Sequence, residues 1–458
     1  MRATPHRTAP HRTAPHRTAP HRTCLRRFAL VVFWASSVGM AWAATDYVFS
    51  ANQKDRYGRR LKLDEDGVTG APCIPYESGA VEDIDWGYGT VPYSGSWGMA
   101  RDRDYPTSRH IWASAYSDNI VNDLWGGVSY QPASETLTYQ FDNTQSSAQV
   151  VDIAAKVDSP GFTVIPEKVD GDWNKTRISS PTSTYQRNAN EPAQIEWAGT
   201  SNVLVATEMG TNSCGTADGA VKLLFANGLN IFNSFQLLEY YIPGAVFKPE
   251  GLTVFDVSSS EDDECDGYDY VAYVVEHCDS SLVVFGIVED GASSDIDYLD
   301  EVAIPDSPDS HDCEPSTVEF LKGRDQAVIL CQSSQSYIVF DTSGIECSPD
   351  DLDFSDHFAF KYTTETTGES GATGSCADAH VLEDEDCWGE EENVGCSPHD
   401  VAYDEDFFED WAFVTLTRVG EISAIELESP WRQTILYSDY DDNDMYQPLE
   451  LELGEDPS

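Results

Sequence analysis

The stretch from Asp439 to Glu450, DYDDNDMYQPLE, carries oxygen-bearing side chains at Asp439, Asp441, Asn443 and Gln447, with Glu450 in twelfth place. That is the ligand spacing of a calcium loop, where a hard dication collects oxygens and a closing glutamate binds through its carboxylate. Two features oppose the match. Asp444 stands where the tight turn needs a glycine, and the preceding RQTILY reads as a strand rather than a helix. A second oxygen-rich loop, EDDECDGYD from Glu261 to Asp269, lacks the closing carboxylate, and its Cys265 suits a disulfide better. Calcium, held for a structural purpose, is therefore the cofactor the sequence suggests.

Other reactive patterns are missing. There is no Gly-x-Ser-x-Gly elbow, no HExxH, no phosphate-binding loop and no GxGxxG after a strand. Beyond residue 43 the histidines are His110, His277, His311, His357, His380 and His399. Of these, His277 ends a strand beside Cys278 and reads as a hairpin residue. Between Trp86 and Tyr130 aromatic residues are dense. Trp86 and Trp97, set among glycines, are expected at the surface, where an indole can stack on a sugar ring or a partner.

The N-terminus reads as a leader. HRTAP repeats and Arg26-Arg27 precede an apolar stretch from Phe28 to Met40, and Ala41-Trp42-Ala43 has the small-x-small pattern of a signal-peptidase site. Residues 1–43 are expected to be removed near Ala43, which exports the rest to the periplasm or beyond. No later apolar run is long enough to span a bilayer, so no membrane insertion is expected. The leader holds seven arginines and no acids, so the remaining 415 residues carry 20 basic against 80 acidic side chains. Nucleic acid is excluded as a partner, because phosphate binding needs clustered Lys and Arg. The acids are spread along the whole length, as on a solvated, salt-adapted surface.

Ten cysteines follow the leader, an even number that reads as disulfides in an exported chain. Cys265 and Cys278 bracket the run VAYVVEH, Cys313 and Cys331 bracket the matching part of the next unit, and Cys376 with Cys387 is a local pair in the acidic insertion between Ile345 and Cys396. These three pairs are the expected bridges.

The elements that must position all this are strands. Apolar residues come in blocks of β-branched and aromatic types bounded by Gly, Ser, Asp and Pro, and helical periodicity is nearly absent. Four segments open alike: Pro192-Ala-Gln-Ile195, Pro249-Glu-Gly-Leu252, Pro315-Ser-Thr-Val318 and Pro398-His-Asp-Val401, each followed by two apolar runs. Seven such pairs can be counted, centred on DYVFSAN, HIWASAY, AQVVDIAAKV, VLVATEM, VAYVVEH, AVILC and WAFVTLT. Repeated strands with no room for crossover helices leave a sandwich, a solenoid or a propeller, and the register of proline, first strand and hairpin favours the propeller.

In KPEGLTVFDV…YDYVAYVVEHCDSSLVVFGI and EPSTVEFLKGRDQAVILCQSSQSYIVFD the chain resembles the YVTN and lactonase-type seven-bladed β-propeller superfamily. The resemblance runs from about Glu191 to Leu427, without the Asn-rich YVTN core. It implies an all-β, seven-bladed propeller over residues 44–438 with long acidic, disulfide-bearing loops, followed by an acidic tail over 439–458. It also implies that residues flanking the repeat proline ring the mouth of a central channel: Glu191, Lys248 and Glu314 before it, Glu250, His399 and Asp400 after it. Carboxylates converging there with a His and a Lys could hold a divalent cation or polarise a water. The leading expectation is a non-enzymatic propeller that binds a protein or small-molecule partner. The alternative is a lactonase-like hydrolase with a metal at the channel mouth.

Overall fold

A run such as VAYVV is apolar at every position because both faces of its strand are buried. In the computed structural model, Val271, Tyr273 and Val275 pack toward the following sheet, while Tyr270, Ala272 and Val274 pack toward the preceding one. Sheets covered on both sides lose the in–out alternation of a half-exposed sheet. The structure describes, before residue 190, the strands named below and residues 152–155. After it, the structure describes residues 191–210, 214, 219–227, 234–241, 248–258, 260, 262–307, 311–360, 380–381, 396–404, 410–428, 431, 433–438 and 448–456.

Among the described residues the strands form seven antiparallel sheets, one for each of the seven runs counted in the sequence. Blade 1 holds Thr45–Asn52, Tyr57–Leu63 and Tyr76–Asp85. Blade 2 holds Met99–Arg101, Ile111–Ala115, Ile120–Asp123 and Thr138–Asp142. Blade 3 starts with the short pieces Gln149–Val150 and Ala154–Ala155 and continues through Thr163–Lys168, Lys175–Ser179 and Thr184–Asn188. Blade 4 runs from Glu191–Trp197 to Ser234–Tyr241, blade 5 from Pro249–Asp256 to Asp295–Ala303, blade 6 from Pro315–Leu321 to His380–Val381, and blade 7 from Pro398–Ala402 to Gln433–Ser438. No helix among the described residues is long and apolar enough to cross a membrane.

The last strand corrects the expected tail. Pro448–Asp456 pairs antiparallel with Thr45–Asn52 and becomes the innermost strand of blade 1, so the C-terminus closes the ring. Its Leu451 and Leu453 are buried against blades 1 and 7. The signal for it was in the sequence, since Pro448-Leu-Glu-Leu451 is a fifth copy of the repeat opening. Successive innermost strands then touch in a closed circuit, from Ala154–Ala155 through blades 4, 5, 6 and 7 to Pro448–Asp456, Met99–Arg101 and back. The seven-bladed propeller is the fold.

The repeat opening has a physical cause. Proline cannot donate to a ladder, and the pairing register breaks just after it in blades 4, 5, 6 and 7. The break frees the third residue to face the next blade. Its amide is met from behind: Gln194 N donates to Thr207 Oγ1 and Asp400 N to Thr415 Oγ1, both at 3.0 Å. Its side chain crosses to the neighbouring inner strand and accepts the amide of the aliphatic residue there. Asp152 accepts from Ile195 at 2.7 Å, Gln194 from Leu252 at 2.6 Å, Asp400 from Leu451 at 2.8 Å and Glu450 from Met99 at 2.7 Å.

Blade 5 has Gly251 at this position, and the next strand comes in closer. A Cβ on Gly251 would lie 2.5 Å from Thr317 Cα and 2.9 Å from Val318 N, which are backbone atoms that cannot rotate away. Gly251→Ala is expected to cost about 1–3 kcal/mol, the range for overpacking. Urea unfolding with an unchanged m-value reads it, and a midpoint equal to the parent's would show that blades 5 and 6 separate freely.

Three disulfides are described. Cys313–Cys331 forms as expected, because Pro315 pairs with Cys331 and brings both ends of that hairpin together. The expected Cys265–Cys278 bridge does not form. The two cysteines flank opposite ends of the strand Tyr270–Glu276, roughly 20 Å apart at about 3.3 Å per residue, beyond disulfide reach. Each instead joins a neighbouring blade, Cys265 to Cys347 and Cys278 to Cys214. Cys376 and Cys387 lie outside the described residues, as do Trp86, Trp97 and the leader through Ala43.

Candidate functional site

At the end of the ring where the repeat prolines lie, the backbone is held in an uncommon shape. Lys248, Glu314 and Ser397, each directly before its proline, have φ of 59°, 45° and 50°. Side chains other than glycine's reach that region at a cost of about 1–3 kcal/mol, which surrounding contacts must offset. Those contacts recur from blade to blade. The carbonyls of Lys248, Glu314 and Ser397 accept the amides of His277, Gln332 and Thr417 at 3.0–3.2 Å. The amides of Glu314 and Ser397 donate to Ser280 Oγ at 3.1 Å and Gln335 Oε1 at 2.6 Å, side chains on the hairpin turns of the preceding blades.

This frame gathers charged groups around blade 5. His277 Nδ1 lies 3.1 Å from Glu250 Oε2, and its Nε2 lies 4.0 Å from Glu314 Oε2. Lys248 Nζ lies 4.0 Å from Glu250 Oε2. Burial alone would push the Glu250 carboxyl up. The hydrogen bond and charge of His277, with the charges of Lys248 and His399, outweigh that and hold it below the ordinary glutamate value. Its contribution to stability is thus present above the unfolded value and lost as the pH falls through the folded one.

Lys248, Glu250 and Glu314 thus lie close to one another, the charge of His399 acts on Glu250, and His277, which the sequence presented as a hairpin residue, is the central member of the cluster. The signal that could have found it is position: His277 occupies in blade 5 the turn position that Gln332 and Thr417 occupy in blades 6 and 7. Glu191 opens the first strand of blade 4, and its side chain lies outside the described residues. Asp400 does not join the mouth. The register break after Pro398 turns it into the channel, where it bonds Leu451 of the closing strand.

The donor set fits a divalent cation poorly. Glu250 already answers to an imidazole and an ammonium, and Lys248 would repel an incoming dication. Glu450 is buried, with Oε2 accepting from Met99 N, and belongs to the channel. Asp439, Asp441, Asn443 and Gln447 lie outside the described residues. In the second loop, Asp262 spends its oxygens on the amides of Cys347 and Glu264 and on the Ser348 hydroxyl, while Cys265 is bridged.

Inside the ring lies a cavity of about 490 Å³. Its carboxylates include Asp152, Glu196, Glu319, Asp400, Glu450 and Glu452, with Lys322 as the basic residue on the lining. Burial pushes the Asp152 carboxyl up to about 7. Burial likewise raises Asp400 and Glu450, and each is raised further by neighbouring acids, Asp400 by Glu319 and Glu452, and Glu450 by Asp152, Asp400 and Glu452.

No protein-family model matches the chain, and no curated protein matches its sequence. Solved structures match its fold. A periplasmic gluconolactonase from Pseudomonas aeruginosa superposes with a TM-score of 0.57 at 9% identity, covering 90% of this chain and 100% of its own. A hypothetical selenium-binding protein from Sulfolobus tokodaii gives 0.55 at 8% identity, covering 92% and 96%. A candidate 6-phosphogluconolactonase from Bacteroides fragilis gives 0.53 at 8% identity, covering 92% and 99%. The lactonase-type propeller resemblance read from the sequence is thus matched in three dimensions over nearly the whole chain. At such identities the likeness is one of fold alone.

Proposed function

We propose that this chain is an exported β-propeller that binds a small polar ligand at the channel mouth framed by Lys248, Glu250, His277 and Glu314. The observation that carries the reading is the His277–Glu250 contact of 3.1 Å with Lys248 and Glu314 each 4.0 Å away. Both charge signs and an imidazole converge there on strained backbone positions, a set suited to a ligand with hydroxyl and carboxylate groups. The disulfides support export, since such bridges persist in oxidising compartments. A thermal-shift screen of sugar acids, lactones, dicarboxylates and amino acids tests it. A compound that raises the melting temperature of the parent should lose its effect in Lys248→Ala and Glu250→Gln. Hits indifferent to both substitutions would place the ligand elsewhere.

One observation favours a hydrolytic second reading. Glu250 lies 3.1 Å from Nδ1 of His277, and Nε2, 4.0 Å from Glu314, is then the nitrogen that would take a proton from water. The fold-level likeness to lactonases makes a lactone the substrate to try. In that case His277→Gln should lower turnover by about a hundredfold or more, and Glu250→Gln, Glu191→Gln and Glu314→Gln should be assayed beside it. A purified protein with no lactone turnover above the buffer rate would leave the binding reading alone.

A further inference from the structure

The axial cavity is separate from the mouth just described. Lys248, Glu250, His277 and Glu314 are not among its lining residues, which run from Asp152, Asp400 and Glu450 to the far ends of the inner strands at Trp197, Asp256 and Lys322. It lies beyond the residues that the binding reading uses.

Two features of its wall point to the same ligand. One is charge: the carboxyls of Asp152, Asp400 and Glu450, from blades 3, 7 and 1, line the cavity, and burial disfavours their ionisation, helped at Asp400 and Glu450 by neighbouring acids. Ionised acids are costly to bury, so a cation entering this space would gain by sharing their charge. The other is aromatic surface. Phe255 and Phe320, from adjacent inner strands, stack at 3.8 Å with their planes 6° apart, and Trp197 and Tyr270 also line the cavity. A hard inorganic ion gains little from such a wall, whereas an alkylammonium gains by laying its alkyl groups against it. At about 490 Å³ the cavity is in the range that takes small organic molecules.

We infer that the axial channel is a binding site for a small organic ammonium ion, held between the Phe255–Phe320 stack and the carboxyls of Asp400, Glu450 and Glu319. Lys322 at the far end sets the limit for a second positive group, so a compact monocation fits better than a long polyamine.

The test is calorimetric titration of the full secreted chain with benzyltrimethylammonium at fixed ionic strength, beside benzyl alcohol as the uncharged comparator and calcium as the inorganic one. One saturable site for the ammonium and none for the alcohol is expected. Asp400→Asn with Glu450→Gln should weaken binding by roughly tenfold or more, and Phe320→Leu by several-fold. Asp297→Asn, on an exposed outer strand of blade 5, removes a charge without touching the channel and should leave the affinity unchanged. Should the double variant fail to fold, Glu319→Gln serves in its place. Equal weakening by Asp297→Asn would mean diffuse attraction to an acidic surface. Equal binding of the alcohol, calcium binding that depends on the same residues and displaces the ammonium, or no saturable site would each overturn the inference.

Discussion

Between about pH 4 and pH 7 the protein is expected to lose roughly 4 kcal/mol of stability through Asp152 alone. Asp152 is buried in the channel with its carboxyl raised from 3.8 to about 7, so the folded state binds a proton that the unfolded chain releases. A raised carboxyl makes its full contribution below the unfolded value and loses it as the pH climbs through the folded one, at about 1.4 kcal/mol per unit. Asp400 and Glu450 are displaced in the same direction, which deepens the loss and extends it upward. Glu250 acts with the opposite sign, but its loss falls at the acid end of the range. The net charge of −53 reinforces the trend, since protonation also relieves self-repulsion. Urea midpoints at pH 5, 6, 7 and 8 should therefore fall steadily at constant salt. A midpoint that rises from pH 5 to 8 would show that the channel carboxyls reach solvent and ionise at no cost.

The variants separate burial from repulsion. In Glu450→Gln the amide oxygen can still accept from Met99 N, while the carboxyl that burial and the charges of Asp152, Asp400 and Glu452 push up is gone. Its pH dependence should be shallower than the parent's, and it should be the more stable protein at pH 8. Asp152→Asn is the harder substitution, because Asp152 accepts from both Ile153 and Ile195 and an amide has one oxygen to offer. It flattens the profile but gives back part of the gain through the amide it leaves unmet.

What the residues disclosed before any coordinates follows the same division between local and distant bonds. The seven apolar runs were legible because a propeller strand is buried on both faces, and a block such as VAYVVE leaves no other reading once its period is lost. The repeat opening was legible in four copies. The fifth, Pro448-Leu-Glu-Leu451, was hidden in the acidic stretch after Ser438, where Asp and Glu suggested a calcium loop and a tail. Charge density misleads there because one carboxylate in the run, Glu450, serves the backbone of blade 2. The mouth was legible in part: proline flanks marked Lys248, Glu250, Glu314 and His399, but the pairing of His277 with Glu250 depends on the hairpin that returns beside Pro249. Asp400 was placed one strand position wrong in function, since a register break turns its side chain inward and no composition rule reports such a break. Of the cysteine pairs, Cys313–Cys331 was legible from its hairpin and Cys265–Cys278 was misread. Spacing along the chain favoured Cys265 with Cys278, whereas the bond-forming distance is set across blades.

That cross-blade distance gives Cys265–Cys347 the largest effect expected of the three disulfides among the described residues. The bridge spans 82 residues and ties the loop after the inner strand of blade 5 to a loop within blade 6, between the strands Ser336–Asp341 and His357–Ala359. Closing a loop of that length removes about 4–5 kcal/mol of chain freedom from the unfolded state. Both sulfurs are buried, and the loops are docked without them: Asp262 accepts from Cys347 N at 2.8 Å, Ser260 Oγ donates to Glu346 Oε2 at 2.7 Å, and Tyr273 OH donates to Glu346 O at 2.9 Å. Cys265→Ser with Cys347→Ser should therefore leave the native contacts in place and act on the unfolded chain. Two readings distinguish this from local damage. The urea m-value should rise, because an unbridged chain exposes more surface on unfolding, and ligand affinity at the mouth, on the opposite end of blade 5, should hold. A stability change below about 1 kcal/mol with an unchanged m-value would mean that the unfolded chain keeps blades 5 and 6 together without the bridge.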